Sequence, residues 1–209
     1  DPNIGSVLLS EIEPVAVDWL WEGWIPRGKI TTIEGDPGTG KSTVARGIGD
    51  VTGWEVIRSD AVRKELAGLP PVPSDPGGFA QGIYAPALSD RVHAVMLERA
   101  AAHLALGRGV VLDATWGSAA RRGLARRAGE AAGADLVEIR CSLDPGLAAA
   151  RIAARRAAGE GPSDATPEIA RRLSAEADPW PEALPLDTGR PQATVLRVAL
   201  RLAGAVPIR

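Results

Sequence analysis

"ITTIEGDPGTGKSTVARGIGD" (residues 30–50) is the stretch that decides the fold. Residues 30–34 form a short apolar run with strand character, and residues 35–42 read G-x-x-x-x-G-K-S, followed by a helical pattern. Strand, glycine-rich turn and helix in that order are the setting in which this motif binds phosphate. Glycines let successive backbone N–H groups turn inward around an anion, at the positive end of the helix that follows. The expected ligand is a nucleoside triphosphate, ATP, with Mg²⁺. Gly35, Asp36, Pro37, Gly38, Thr39, Gly40, Lys41, Ser42 and Thr43 make up the cradle. Lys41 is expected to reach the β- and γ-phosphates, the Ser42 hydroxyl to ligate Mg²⁺, and Thr43 to add a phosphate contact.

Outward from that loop, short apolar runs alternate with alanine-rich helical stretches. This pattern indicates βαβ units and a parallel sheet, an α/β fold. Strands are expected at 30–34, 55–58, 110–114, 136–142 and 183–186. Helices are expected at 41–49, 61–67, 86–106, 119–132, 145–158, 167–177 and 192–202. Pro145 and Pro167 fall in first helical turns, where proline is tolerated, and Gly107 and Gly133 fall where helices should stop. Two long loops rich in glycine and proline interrupt the pattern: 68–82, which cannot be regular structure, and 158–168; such loops read as lids, binding loops or disordered segments.

Composition sets outer bounds. The 209 residues suffice for one domain with a substantial core; 45% are hydrophobic and 24% charged, as in ordinary globular proteins. No apolar run approaches the roughly 20 residues of a membrane span, so no membrane partner is expected. The absence of a signal-like opening makes the cytoplasm the default location. A lone cysteine, Cys141, excludes an internal disulfide and a cysteine-based zinc site. A net charge of −2 argues against a broad nucleic-acid surface, although 21 of the 24 basic residues are arginines and several are paired. His93 and His103 lie about 280° apart on one expected helix and do not form a paired metal site.

A phosphate loop alone does not choose between transfer and hydrolysis, and three further segments bear on that choice. "EVIRSDAVRKEL" (55–66) reads as a strand ending at Asp60 and a helix carrying Arg63. The carboxyl ends of parallel strands line the ligand crevice, so Asp60 can accept a proton from an attacking hydroxyl, or cap the helix, or both. Arg63 can hold an anionic or polyhydroxy substrate. "GVVLDATWG" (109–117) delivers Asp113, with Thr115 beside it, as a second Mg²⁺ ligand, a substrate contact or a structural carboxylate. Arg151 and Arg155 share a helix face at i and i+4 and lead into the second loop, as a lid closing over the γ-phosphate would require; a solvated basic face is the plainer alternative. Tyr84 can contact substrate or cover the core.

On the residues "GTGKST", "IRSDAVRKEL", "VVLDAT", the R-x-x-x-R of 151–155, "SDAT" at 163–166 and "LPLDT" at 184–188, the chain from about 36 to 190 resembles small P-loop kinases. These are the polynucleotide 5′-kinase, gluconate kinase and zeta-toxin-like group, with special likeness to bacterial kinase-like domains fused to aminoglycoside-phosphotransferase-like domains. The resemblance implies a three-layer α/β/α P-loop NTPase with a five-stranded parallel sheet ordered 2-3-1-4-5. It also implies Asp60 as catalytic Asp, Arg63 as substrate-binding Arg and Arg155 as lid Arg; Lys41 and Arg151, placed by the loop and helix-face readings above, complete the expected catalytic set. Residues 1–35, with Trp19, Trp21, Trp24 and "IPRGK", are similar instead to the entry into RecA-like ATPases of the replication-protein type. The expectation is an N-terminal tryptophan-rich extension (1–28), a kinase-like domain (29–209, lid about 151–168) and a chimeric joint at the shared loop. The expected activity is γ-phosphate transfer from ATP to a hydroxyl of a small molecule, by a monomer or dimer. The alternatives are a nucleotide-binding domain without turnover and a RecA-like ATPase of DNA metabolism with a nucleic-acid partner.

Overall fold

The structure is a computed structural model and describes residues 19–21, 25–26, 28–70, 85–157 and 167–205. Two short strands, β1 (Trp19–Trp21) and β2 (Ile25–Pro26), pair antiparallel apart from the main sheet. The main sheet holds β3 (Lys29–Glu34), β4 (Glu55–Arg58), β5 (Val110–Asp113), β6 (Asp135–Ser142) and β7 (Leu184–Asp187) in the order β4-β5-β3-β6-β7. All four pairings are parallel. Numbered within this sheet, that is the expected order 2-3-1-4-5.

The central strand β3 has Ile30 and Ile33 fully buried with Thr31 and Thr32 between them, the continuous burial of a strand covered on both faces. One face packs Ile30, Val110 and Leu112 against α3 (Pro86–Leu104) and α4 (Ala119–Ala131), through Val92, Met96, Ala100 and Ala125. The other packs Ile33, Val111, Ile139 and Cys141 against α1 (Lys41–Thr52) and α7 (Gln192–Leu202), through Val44, Ile48, Val195 and Ala199. The result is three layers, helices on both sides of one sheet.

The remaining helices, α2 (Ser59–Leu66), α5 (Pro145–Ala157) and α6 (Pro167–Ala175), sit near the carboxyl ends of the strands or lead away from them. Helix α1 outruns its expected end and stops at Gly53, whose φ of 70° is the left-handed turn glycine accommodates best. Helix α2 starts earlier than expected, at Ser59, so the strand ends at Arg58 and Asp60 lies inside the first helical turn. Arg58, not Asp60, occupies the N-cap position, which removes the capping role for Asp60. Strand β7 carries Pro185 at a sheet edge, where a missing N–H breaks no ladder. Tyr84, Trp24, most of the 68–82 segment, residues 158–166 and the side chain of Arg155 lie outside the described residues.

Candidate functional site

The loop between β3 and α1 is built for close approach. Gly38 and Gly40 have φ of 89° and 81°. A Cβ on Gly38 would sit 2.5 Å from the Ala148 carbonyl oxygen of α5, and one on Gly35 would overlap the Thr39 hydroxyl. Thr39 closes the turn, its N–H and hydroxyl both donating to the Asp36 carbonyl at 3.1 and 2.8 Å. Helix α1 begins at Lys41 with no side-chain cap and no acidic residue in its first turn. The N–H groups of Lys41 and Ser42 precede the first helical hydrogen bonds, which Thr43 and Val44 make to the Gly40 carbonyl at 3.0 and 3.1 Å, and so have no intrahelical acceptor, as an anion site requires.

Sheet order places two carboxylates on one side of this loop. Asp113 ends β5, in register with Ile33 of β3 and Arg58 of β4. Its side chain is 3% exposed, and Oδ2 accepts from Arg58 Nε at 3.2 Å. Its other oxygen, Oδ1, is buried without a hydrogen-bond partner among the described residues. Asp60 follows β4, and its carboxyl pKa is held above the usual carboxylate range, first by burial and then by the neighbouring Asp113; Lys41, Arg58 and Arg63 pull the other way. Arg63 is buried, with Nη1 donating to Ser89 Oγ of α3 at 3.1 Å. Lys41, Asp60, Arg63 and Asp113 thus share one electrostatic neighbourhood.

Arg151 lies on the opposite side, beyond β6. It donates from Nη2 to the Thr188 carbonyl after β7 at 3.3 Å, and its Nη1 is 3.5 Å from where a Gly40 Cβ would be. It therefore spans the start of α1 and the β7–α7 turn. Between the loop residues Asp36, Pro37 and Thr39 and helices α5 and α6 lies a cavity of about 750 Å³, walled by Leu143, Pro145, Ile152 and several alanines. Asp36, bonded by Ser174 of α6, is raised above its ordinary pKa chiefly by burial.

Sequence reasoning passed over three residues here. Arg58 orients Asp113, and Glu34, directly before the loop, is a buried carboxylate accepting the Trp116 N–H. Thr188 anchors Arg151 and donates its hydroxyl to the Ser142 carbonyl at 2.9 Å. A charged residue closing an otherwise apolar strand was the signal available for Arg58 and Glu34.

The donor set fits Mg²⁺ in one specific way. Among the described residues no group of three or more His, Cys, Asp or Glu side chains could hold a metal unaided. A hard cation that keeps waters and takes its other ligands from phosphate needs only one or two protein oxygens. The unsatisfied Asp113 Oδ1 and the Ser42 hydroxyl at the start of α1 are of that kind.

A family model described as an AAA domain matches residues 30–180, from the central strand past α6. The chain belongs to this AAA domain family. A second AAA domain model matches residues 6–50 and overlaps the first across β3, the loop and most of α1. The domain is 39% identical over 164 residues to an uncharacterized protein of Mycobacterium tuberculosis and to its counterpart in Mycobacterium bovis. That match covers 78% of this chain, which spans about a third (32%) of the relatives' own length. Among solved structures, the domain is similar to a Mycobacterium tuberculosis APS kinase bound to AMPPNP and APS, at TM-score 0.62 and 22% identity over 85% of this chain and 98% of that one. A sugar kinase from Janibacter has TM-score 0.60 and 19% identity over 87% and 99% of the two chains. A gluconokinase from Sinorhizobium meliloti has TM-score 0.58 and 20% identity over 85% and 91%. The AAA domain therefore has the fold of P-loop kinases.

Proposed function

We propose that this domain is a Mg·ATP-dependent phosphotransferase that moves the γ-phosphoryl group to a hydroxyl of a small molecule. The observation that carries this reading is the pairing, on one side of the phosphate loop, of the Asp60 carboxyl with the unsatisfied Asp113 Oδ1. Hydrolysis needs only a positioned water, whereas a half-buried carboxyl with a raised pKa suits proton removal from an alcohol.

In this reading the backbone from Gly35 to Thr43 cradles the phosphates, through its N–H groups other than those of Thr39 and Thr43, which donate to the Asp36 and Gly40 carbonyls, and of Pro37, which has none. Lys41 neutralises the β- and γ-oxygens. Ser42 and Asp113 Oδ1 would hold Mg²⁺, which supplies charge neutralisation on the nucleotide. Asp60 takes the proton as the acceptor oxygen bonds to the γ-phosphorus and the bond to the ADP oxygen breaks. Arg63, against α3, orients the acceptor from the α2 side. Arg151 holds the nucleotide from the β7 side, and Arg155, one turn further along α5, is the lid arginine. The similar structures are named as kinases of gluconate, a sugar and APS, in keeping with hydroxyl acceptors.

The test is phosphotransfer from labelled ATP across sugars, nucleosides, aminoglycosides and 5′-hydroxyl oligonucleotides, with Lys41→Ala and Asp60→Asn beside the wild type. A phosphorylated product that disappears in both variants supports the assignment. Undiminished product in Asp60→Asn removes Asp60 as the base. ATP bound with no product in any arm would instead leave a nucleotide-binding domain without turnover.

A further inference from the structure

Three nearly fully buried side chains from three different elements converge on the backbone just after Asp113. Glu34 of β3, His93 of α3 and Arg122 of α4 are 5%, 3% and 4% exposed. Glu34 Oε2 accepts the Trp116 N–H. A His93 ring nitrogen lies 3.2 Å from the Thr115 carbonyl, and the ring packs edge-on to the Trp116 indole at 4.9 Å. Arg122 Nη1 donates to the Trp116 and Gly117 carbonyls at 2.8 and 3.0 Å. Each of these buried ionisable groups costs desolvation to place there, a cost that its hydrogen bonds to this backbone offset.

Of the three, Glu34 alone is continuous with the phosphate loop, being bonded to Gly35. We infer that Glu34 is a positioning residue: its hydrogen bond to Trp116 ties the Asp113–Gly117 segment to the start of the phosphate loop and so sets where the free Asp113 oxygen stands relative to bound phosphate. His93 and Arg122 brace the segment from behind, and Glu34 supplies its register with the loop. The bond spans 82 positions of sequence, so strand pairing between β3 and β5 sets only its general location and the side chain sets its fine placement. The inference rests on Asp113 as a metal ligand only for its consequence, not for the contact itself.

The test uses the whole chain and two substitutions that separate reach from charge. Glu34→Asp keeps the charge and withdraws the carboxylate by one methylene; Glu34→Gln keeps the reach and removes the charge. The first readout is amide hydrogen exchange across 113–117 without ligand. The second is the gain in ADP affinity on adding Mg²⁺. Loss of a buried hydrogen bond should speed exchange there by about tenfold in Glu34→Asp. The same variant should lose several-fold of the Mg²⁺-dependent gain while its Mg²⁺-free ADP affinity stays near wild type. Glu34→Gln should restore both. Wild-type exchange in Glu34→Asp, or Glu34→Gln behaving like Glu34→Asp, overturns the proposal. Asp113→Asn separates the two readings: an unchanged Mg²⁺ gain in that variant defeats Asp113 as metal ligand, and the exchange result still decides the role of Glu34.

Discussion

Arg58→Ala is the perturbation whose cost the structure defines best. Asp113 sits at 3% exposure with Arg58 Nε 3.2 Å from Oδ2, while the Arg58 side chain keeps 25% of its surface open. Deleting one partner of a fully buried pair typically costs about 3–5 kcal/mol, because the other charge is stranded. Water reaching the space Arg58 leaves screens part of that, so about 2–3 kcal/mol is expected here. For a chain of this length each kcal/mol moves the melting temperature by about 2–4 °C, giving a drop of about 4–12 °C. The assay is thermal melting followed by circular dichroism. Adding Asp113→Asn to Arg58→Ala removes the stranded charge and should recover at least half of the loss, a coupling that a double-mutant cycle reads directly. On the proposed role of Asp113 as a Mg²⁺ ligand, Mg·ADP should narrow the gap between Arg58→Ala and wild type, because the cation would replace the lost guanidinium. A melting temperature within about 1 °C of wild type, or a double variant no more stable than Arg58→Ala, would refute the reasoning.

Asp60→Asn should lower turnover with whichever acceptor the screen identifies by about 10²–10⁴-fold while leaving ADP affinity near wild type, and a parallel loss of affinity would point to a binding role instead. Glu34, pushed up to about 7 from 4.5, contributes stability that is full below pH 4.5 and lost as pH rises to about 7, while His93, pushed down to about 4 from 6.5, contributes stability that is full above pH 6.5 and lost as pH falls toward 4. The two slopes oppose each other between, so His93→Gln should lose urea resistance steadily as pH climbs through that window, and a flat profile there would count against the Glu34 assignment. Gly109→Ala would place a Cβ 2.5 Å from Cδ2 of the Trp54 indole, and such overpacking should cost about 1–3 kcal/mol in urea unfolding.

Elements were legible in this sequence where local chemistry alone decides them. Runs such as "VVLD" and "KITTIE" are strands because they are apolar or β-branched without the 3.6-residue pattern of a helix, and the glycine-rich turn marked the junction of strand and helix. The start of α2 was misjudged by two residues because Ser59 and Asp60 both suit a helix entry, and only the pairing of Arg58 with Asp113 sets where β4 ends. The contacts that refine the site were not legible, since Arg58 reaches its partner across 55 positions and Glu34 across 82. Spacing assigns a residue to a strand end, whereas the partner there depends on which strands are neighbours and in what register.

That distinction bears on the two AAA models that overlap at residues 30–50. A joint between lineages would have to preserve every contact made across it. The backbone pairing of β3 with β5 and β6 is generic and tolerates exchange, as do the loop glycines. The Glu34–Trp116 bond is not generic, because its acceptor belongs to the overlap and its donor to the downstream part alone. Any such joint therefore lies upstream of Glu34, or Glu34 and the segment it holds have been matched since. Replacing residues 28–34 with a strand of equal apolar character but a neutral, short residue at position 34 would distinguish generic pairing from this specific bond. The hybrid should keep the sheet and the melting cooperativity of the parent yet show the same rapid exchange across 113–117 as Glu34→Asp. Wild-type exchange in the hybrid would mean that strand pairing alone sets the segment and that the phosphate loop is portable without Glu34.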